Sequence, residues 1–75
     1  MTKYRVFVID VFLDRSELTW YACNMNPGRT LTANVEDAQI FDSFQEAEKM
    51  AERLRDYARR AIVEIYEEDD NAKAN

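Results

Sequence analysis

The chain has 75 residues, a formal net charge of -5, 47% hydrophobic residues, a single cysteine and no histidine. That apolar content suffices for a core and excludes wholesale disorder, while no run reaches the roughly 18 apolar residues of a membrane span. With Cys23 alone an intrachain disulfide is impossible, and without imidazoles the usual ligand set of a structural zinc site is missing.

A chain of this length buries only about 60% of the surface its unfolded form exposes. Extra stability must come from good packing or from self-association. The charge is unevenly spread. Glu67, Glu68, Asp69 and Asp70 against Lys73 put residues 67–75 at -3, which leaves residues 1–66 at -2. One domain over 1–67 is expected, followed by a flexible acidic tail over 68–75. Met1 to Arg5 carries the charge of a leader but runs into alternating apolar positions with no small-residue cleavage site, so a cytoplasmic protein with a reduced thiol is expected.

Tyr4 to Leu13 is rich in β-branched and aromatic residues and reads as a first strand. One of its faces carries Phe7, Ile9, Val11 and Leu13; the other carries Tyr4, Val6, Val8, Asp10 and Phe12. Both are largely apolar. Asp14-Arg15-Ser16 reads as a tight connection to a second strand, Leu18 to Cys23, the simplest antiparallel partner of the first. Asn26-Pro27-Gly28 is a strong turn signal, because proline presets φ at the second turn position and glycine takes the positive φ of a type II turn. Gly28 is the only glycine, so no glycine-rich phosphate loop exists. Thr30 to Thr32 returns as a short strand, Asn34 to Asp37 as a polar turn, and Ala38 to Phe41 as a short extended piece.

Ser43 followed three residues later by Glu46 is a capping box, which opens the best-supported element. Phe44, Ala47, Met50, Ala51, Leu54, Tyr57, Ala58 and Ala61 fall on one helical face, with charged residues from Glu48 to Arg60 on the other. No glycine marks the helix end. A last strand is expected to begin at Ala61 or Ile62 and to run through Tyr66. The fold class is α+β: a small, mainly antiparallel sheet of three to four strands covered on one face by a single helix.

The stretch from Leu31-Thr32 through Ala38, Phe41, Ser43, Glu46, Ala47, Ala51 and Leu54, with Val63 and Ile65 in the final strand, resembles a diffuse class of small bacterial and phage proteins. In that class a short strand ending in phenylalanine enters a capped helix and then a valine-rich strand. The matching residues pack and cap, so the resemblance implies a fold and no activity.

Chemistry is thinly represented. Cys23 has no histidine base, and Ser16 and Ser43 serve a turn and a cap, so nucleophilic catalysis is not expected. Asp69-Asp70-Asn71 lacks the glycine turn of a calcium loop, and neither a metal nor a cofactor is expected. Arg53, Arg55, Arg59 and Arg60 concentrate positive charge near the helix end as a candidate interaction site, but Glu48, Glu52 and Asp56 interleave with them, which argues against nucleic acid. Asp10 breaks the apolar run of the first strand, and it is either a strand position beside an arginine or a site residue.

A single helix protects one sheet face, so the second apolar row is either a dimer or partner surface or is covered by the chain's own loops. The candidate interaction face is Tyr4, Val6, Val8, Phe12, Trp20 and Tyr66. The expected function is a small non-catalytic protein-interaction or regulatory module, phage-related on the resemblance, that binds a protein partner or itself as a homodimer. Two alternatives remain: a ligand-binding or enzymatic domain with its site near Asp10, and an acidic nucleic-acid mimic.

Overall fold

The computed structural model describes residues 2–25 and 28–67. The expected turn at Asn26-Pro27 and the tail over 68–75 lie outside the described residues. Four strands, β1 (Lys3–Val11), β2 (Glu17–Met25), β3 (Arg29–Thr32) and β4 (Arg59–Glu67), form one sheet in the order β3-β2-β1-β4. Every neighbouring pair is antiparallel. Among the described residues a single α-helix, α1 (Phe44–Leu54), packs against β1 and β4. The α+β class with one helix on the sheet is thus as the sequence predicts.

Cross-strand partners share a face, so the register assigns each side chain. Val6 lies opposite Val63, and Val8 lies between Ala61 and Trp20. This row faces the helix. Val6, Val8, Ala22, Phe41, Ala47, Ala51 and Ala61 form the buried cluster, with Tyr4, Trp20, Leu31, Met50, Leu54 and Val63 packed around it. Small residues dominate on both sides, Ala47 and Ala51 from the helix against Val and Ala from the strands, so the helix backbone lies close to the sheet.

Beyond the pair Phe7 and Tyr21, β1 and β2 stop pairing, and the chain entering the helix takes over their bonds. Gln39 N–H donates to the Ala22 carbonyl at 2.8 Å, while Tyr4 and Phe41 exchange both main-chain hydrogen bonds at 2.7 and 2.9 Å. The expected extended piece at Ala38–Phe41 is therefore a single bridge that seats the Phe41 ring in the core. Before it, Asn34 caps a short 3-10 turn, Val35–Asp37, by accepting from Glu36 N–H.

Ser43 Oγ accepts from Glu46 N–H at 3.1 Å, so α1 starts where the capping signal places it. It ends earlier than its apolar face predicts. Arg55 is extended, Asp56 and Arg59 close a tight turn through both main-chain bonds, and Tyr57 is fully exposed. The physical reason is sheet pairing. Starting β4 at Arg59 adds the pairs Asp10 with Arg59, Ile9 with Arg60 and Val8 with Ala61, which outweigh one further turn of helix. Arg55 holds the corner by donating Nε–H to the Ala61 carbonyl at 3.0 Å and both terminal nitrogens to Glu48 at 2.9 and 3.3 Å.

Candidate functional site

The face of the sheet away from the helix is built from the alternate row. Phe7 lies opposite both Tyr21 and Ile62, Ile9 opposite Thr19 and Arg60, and Arg5 opposite Glu64. No described element packs over this row. Arg5 is its centre: the guanidinium carbon stands 5.0 Å from the Tyr21 ring centroid and 5.4 Å from that of Tyr66. The Arg5 Nε–H donates to Glu64. Phe7 packs on Tyr21 with centroids 5.4 Å apart. A half-buried cation between two rings is held by the ring quadrupoles and by its carboxylate together, so the three strands β2, β1 and β4 present a stiff aromatic stripe. Ile62 and Tyr66 remain 46% and 50% exposed.

The expected interaction face is divided by the structure. Val6 and Val8 are fully buried under the helix, with Tyr4 and Trp20 packed against the same cluster. Tyr66 lies on the opposite, open face, and Phe12 is exposed just past the end of β1. Burial removes Val6 and Val8 from any docking surface, and Tyr4 and Trp20 are half-buried on the helix side. The open row is instead Arg5, Phe7 and Ile9 with Tyr21 and Ile62, which parity alone does not reveal. Residue size does hold the signal: the row of valines and alanines suits a close-lying helix, and the bulkier row does not.

The arginines also disperse. Arg53 is exposed on α1, Arg55 holds the corner to β4, Arg59 points to the helix side of β4 and Arg60 is exposed on the other side. No single cationic patch forms from these four.

Asp10 is a strand position held beside an arginine. Its carboxylate accepts from Trp20 Nε1–H at 3.0 Å and from Arg59 through Nε–H and, at 3.0 Å, Nη2–H. The Arg59 hydrogen bonds hold the Asp10 carboxyl below the usual carboxylate range, and the Trp20 bond adds to the effect. Asp10 thereby ties β2, β1 and β4 together at one end of the sheet. Tyr66 is on the other side, so Asp10, Trp20 and Tyr66 do not line a common pocket. Cys23 is buried, and that burial pushes its thiol pKa up, the opposite of an activated nucleophile. Asp10, Asp42, Glu48 and Glu64 each pair with a cation.

A second apolar region sits at the tip joining β1 to β2. Val11, Phe12, Leu13, Tyr57 and Ala58 line an open groove of about 450 Å³, with Leu13 and Tyr57 fully exposed. The turn beneath it is set by Asp14, which accepts from Ser16 N–H and Oγ–H at 3.0 and 2.6 Å, and by Arg15 at φ 70°.

These features define a one-helix, four-stranded antiparallel α+β domain with an uncovered aromatic-aliphatic sheet face. No protein-family model matches the chain, and no curated protein or solved structure matches it either. No helix among the described residues is long and apolar enough to cross a membrane.

Proposed function

We propose that this domain is a protein-interaction module, without a reaction of its own, that docks a protein partner on its uncovered sheet face. The observation that carries the reading is the stripe Tyr66, Arg5, Tyr21 and Phe7, flanked by Ile62 and Ile9, on a face no described element covers. Aromatic residues and arginine are the side chains that most often anchor protein interfaces, because they offer large contact area at little entropic cost. Arg5 is already oriented by its two rings and Glu64, so binding has little left to order.

The test is affinity capture with matched variants. Ile9→Glu combined with Tyr66→Ser changes the face; Leu13→Ser combined with Tyr57→Ser changes the exposed tip. A protein retained by the wild type and the tip variant and lost from the face variant, with circular dichroism unchanged, supports the reading. A partner that stays on the face variant and leaves the tip variant would move the site to the groove beside Leu13.

A further inference from the structure

We propose that the partner on the open face is a second copy of this chain, packed sheet against sheet about a two-fold axis that crosses the strands at Ile62. The proposal rests on the docking-face reading and names its occupant.

Five side chains at and along β4 lie on that face. Ala58, whose carbonyl takes the Val11 N–H, lines the groove at the tip with Val11 and Tyr57. Arg60 lies beside Ile9, Ile62 beside Phe7 and Glu64 beside Arg5. The register step next to Tyr4 gives β4 one extra residue at its far end, and the Tyr66 ring there lies on the same face, over Arg5. In chain order the row is small, cationic, apolar, anionic and large, so it complements its own reverse in both charge and size.

This pattern chooses the occupant and the register. A two-fold at Ile62 sets Ile62 on its symmetry mate and Arg60 on the other copy's Glu64, twice over. It also sets Tyr66 on the other copy's Ala58, where the open groove of about 450 Å³ receives the ring. Arg60 pairs with no carboxylate among the described residues, and Arg5 uses only Oε1 of Glu64, so both members of the new pair are available. A two-fold at Arg60 or at Glu64 would instead oppose like charges, which is costly at an interface. A two-fold along the strands would set Arg60 against its own mate or against Thr19, and neither answers its charge.

Size and stability point the same way. The contact centres on β1 and β4, because Thr32, opposite Tyr21 at the other corner of the face, is already buried. From Ala58 to Tyr66 the row is roughly 25 Å long, and two strands with their flanking side chains make it about 15 Å wide. Two copies then bury on the order of 1,000 Å² in total, the lower bound for a specific interface, so a weak dimer in the micromolar range is expected. The monomer's core is small, with Val6, Val8 and Cys23 its largest fully buried side chains, and a chain of this length gains from covering a second face. Sheets packed face to face stand about 10 Å apart with strands within about 30° of each other. Each helix then lies on the outside, and the β4 edge with its Arg55–Asp56 corner takes no part.

The test is light scattering after size exclusion on the full chain across the micromolar range, with affinity capture by the tagged chain alongside. Ile62→Glu sets two carboxylates on the axis, and Arg60→Glu opposes Glu64 at both symmetry-related contacts. Each is expected to weaken the dimer by on the order of ten-fold or more. Ala58→Tyr crowds both Tyr66 contacts and Tyr66→Ala empties both, so each variant alone should dimerise less well. Mixed in equal amounts the two are complementary at both contacts, and a heterodimer is expected to return; that return also shows each variant to be folded. Wild type that is monomeric throughout overturns the proposal. If capture then still yields a different protein that Ile62→Glu loses, the docking face stands; if it yields none, that reading falls too. A dimer indifferent to Ile62→Glu or to Arg60→Glu, or a mixture that does not recover, overturns the pairing of sheets about Ile62.

Discussion

Asp10 interrupts an apolar strand, and three donors converge on it, two from Arg59 and one from Trp20. The interruption is legible in the sequence, as is the presence of an arginine nearby. Which arginine is not legible, because Arg59 lies 49 positions away and only the β1–β4 register brings the two together. The arrangement has a pH signature. The carboxyl of Asp10 is held below its ordinary value in the folded state, so its contribution to stability is complete above the unfolded-state value of about 3.9 and is lost as pH falls through the folded value. Asp10→Asn should therefore lower the urea midpoint at neutral pH, by an amount corresponding to roughly 1.5–3 kcal/mol for hydrogen bonds to a charged group. The gap to wild type should close as pH drops below about 4. A constant gap down to the acid transition would show that the side chain's shape matters and its charge does not. Asp14, depressed by its bonds to Ser16, belongs to the same acid limb in both proteins and cancels in the comparison.

Among the elements, α1 shows which local signals survive folding. Its start is chemical and short-range: Ser43 caps Glu46 N–H, and the sequence marks it. Its end is decided elsewhere. Tyr57, Ala58 and Ala61 continue the helical pattern, yet the chain leaves the helix after Leu54 because β1 offers Arg59 and Arg60 a ladder. The assignment of sheet faces was ambiguous for a similar reason, since both rows of β1 are apolar and only the small size of Val6, Val8, Ala22 and Ala61 distinguishes the covered one. An eleven-residue helix is marginal alone, so α1 depends on the close approach of Ala47 and Ala51 to the sheet. Ser43→Ala should cost about 1 kcal/mol. Ala51→Leu, which improves neither cap nor register and forces a larger side chain into a filled contact, should cost about 1–3 kcal/mol. Thermal melts should place Ala51→Leu below Ser43→Ala, at roughly 4–8 °C per kcal/mol for a domain of this size. The reverse order would mean that the helix has room above the strands and that the alanine contact is not what seats it.

In the whole molecule, one layer of helix on one layer of sheet leaves an asymmetry that can be measured. The buried cluster is small, with Val6, Val8 and Cys23 its largest fully buried side chains. At about 0.05–0.15 kcal/mol per residue the domain's stability is of order 4–11 kcal/mol, and a core this size belongs near the lower end. If the helix side holds that energy, single deletions there take a large share of it. Val6→Ala should cost roughly 2–3 kcal/mol, the lost methyl contacts plus the cavity left behind. Ile62 makes its contacts on the open face and is nearly half exposed in the monomer, so Ile62→Ser in dilute protein should stay within about 1 kcal/mol of wild type. The two should then diverge with concentration. Docking on the open face stabilises only the bound folded form, so the wild-type midpoint rises with partner concentration. Ile62→Ser, which removes an apolar side chain from the open face, should weaken that rise, while Val6→Ala should keep it from a lower baseline. An Ile62→Ser variant as unstable as Val6→Ala in dilute solution would mean that the open face is already covered in the monomer, and the docking face would have to be abandoned.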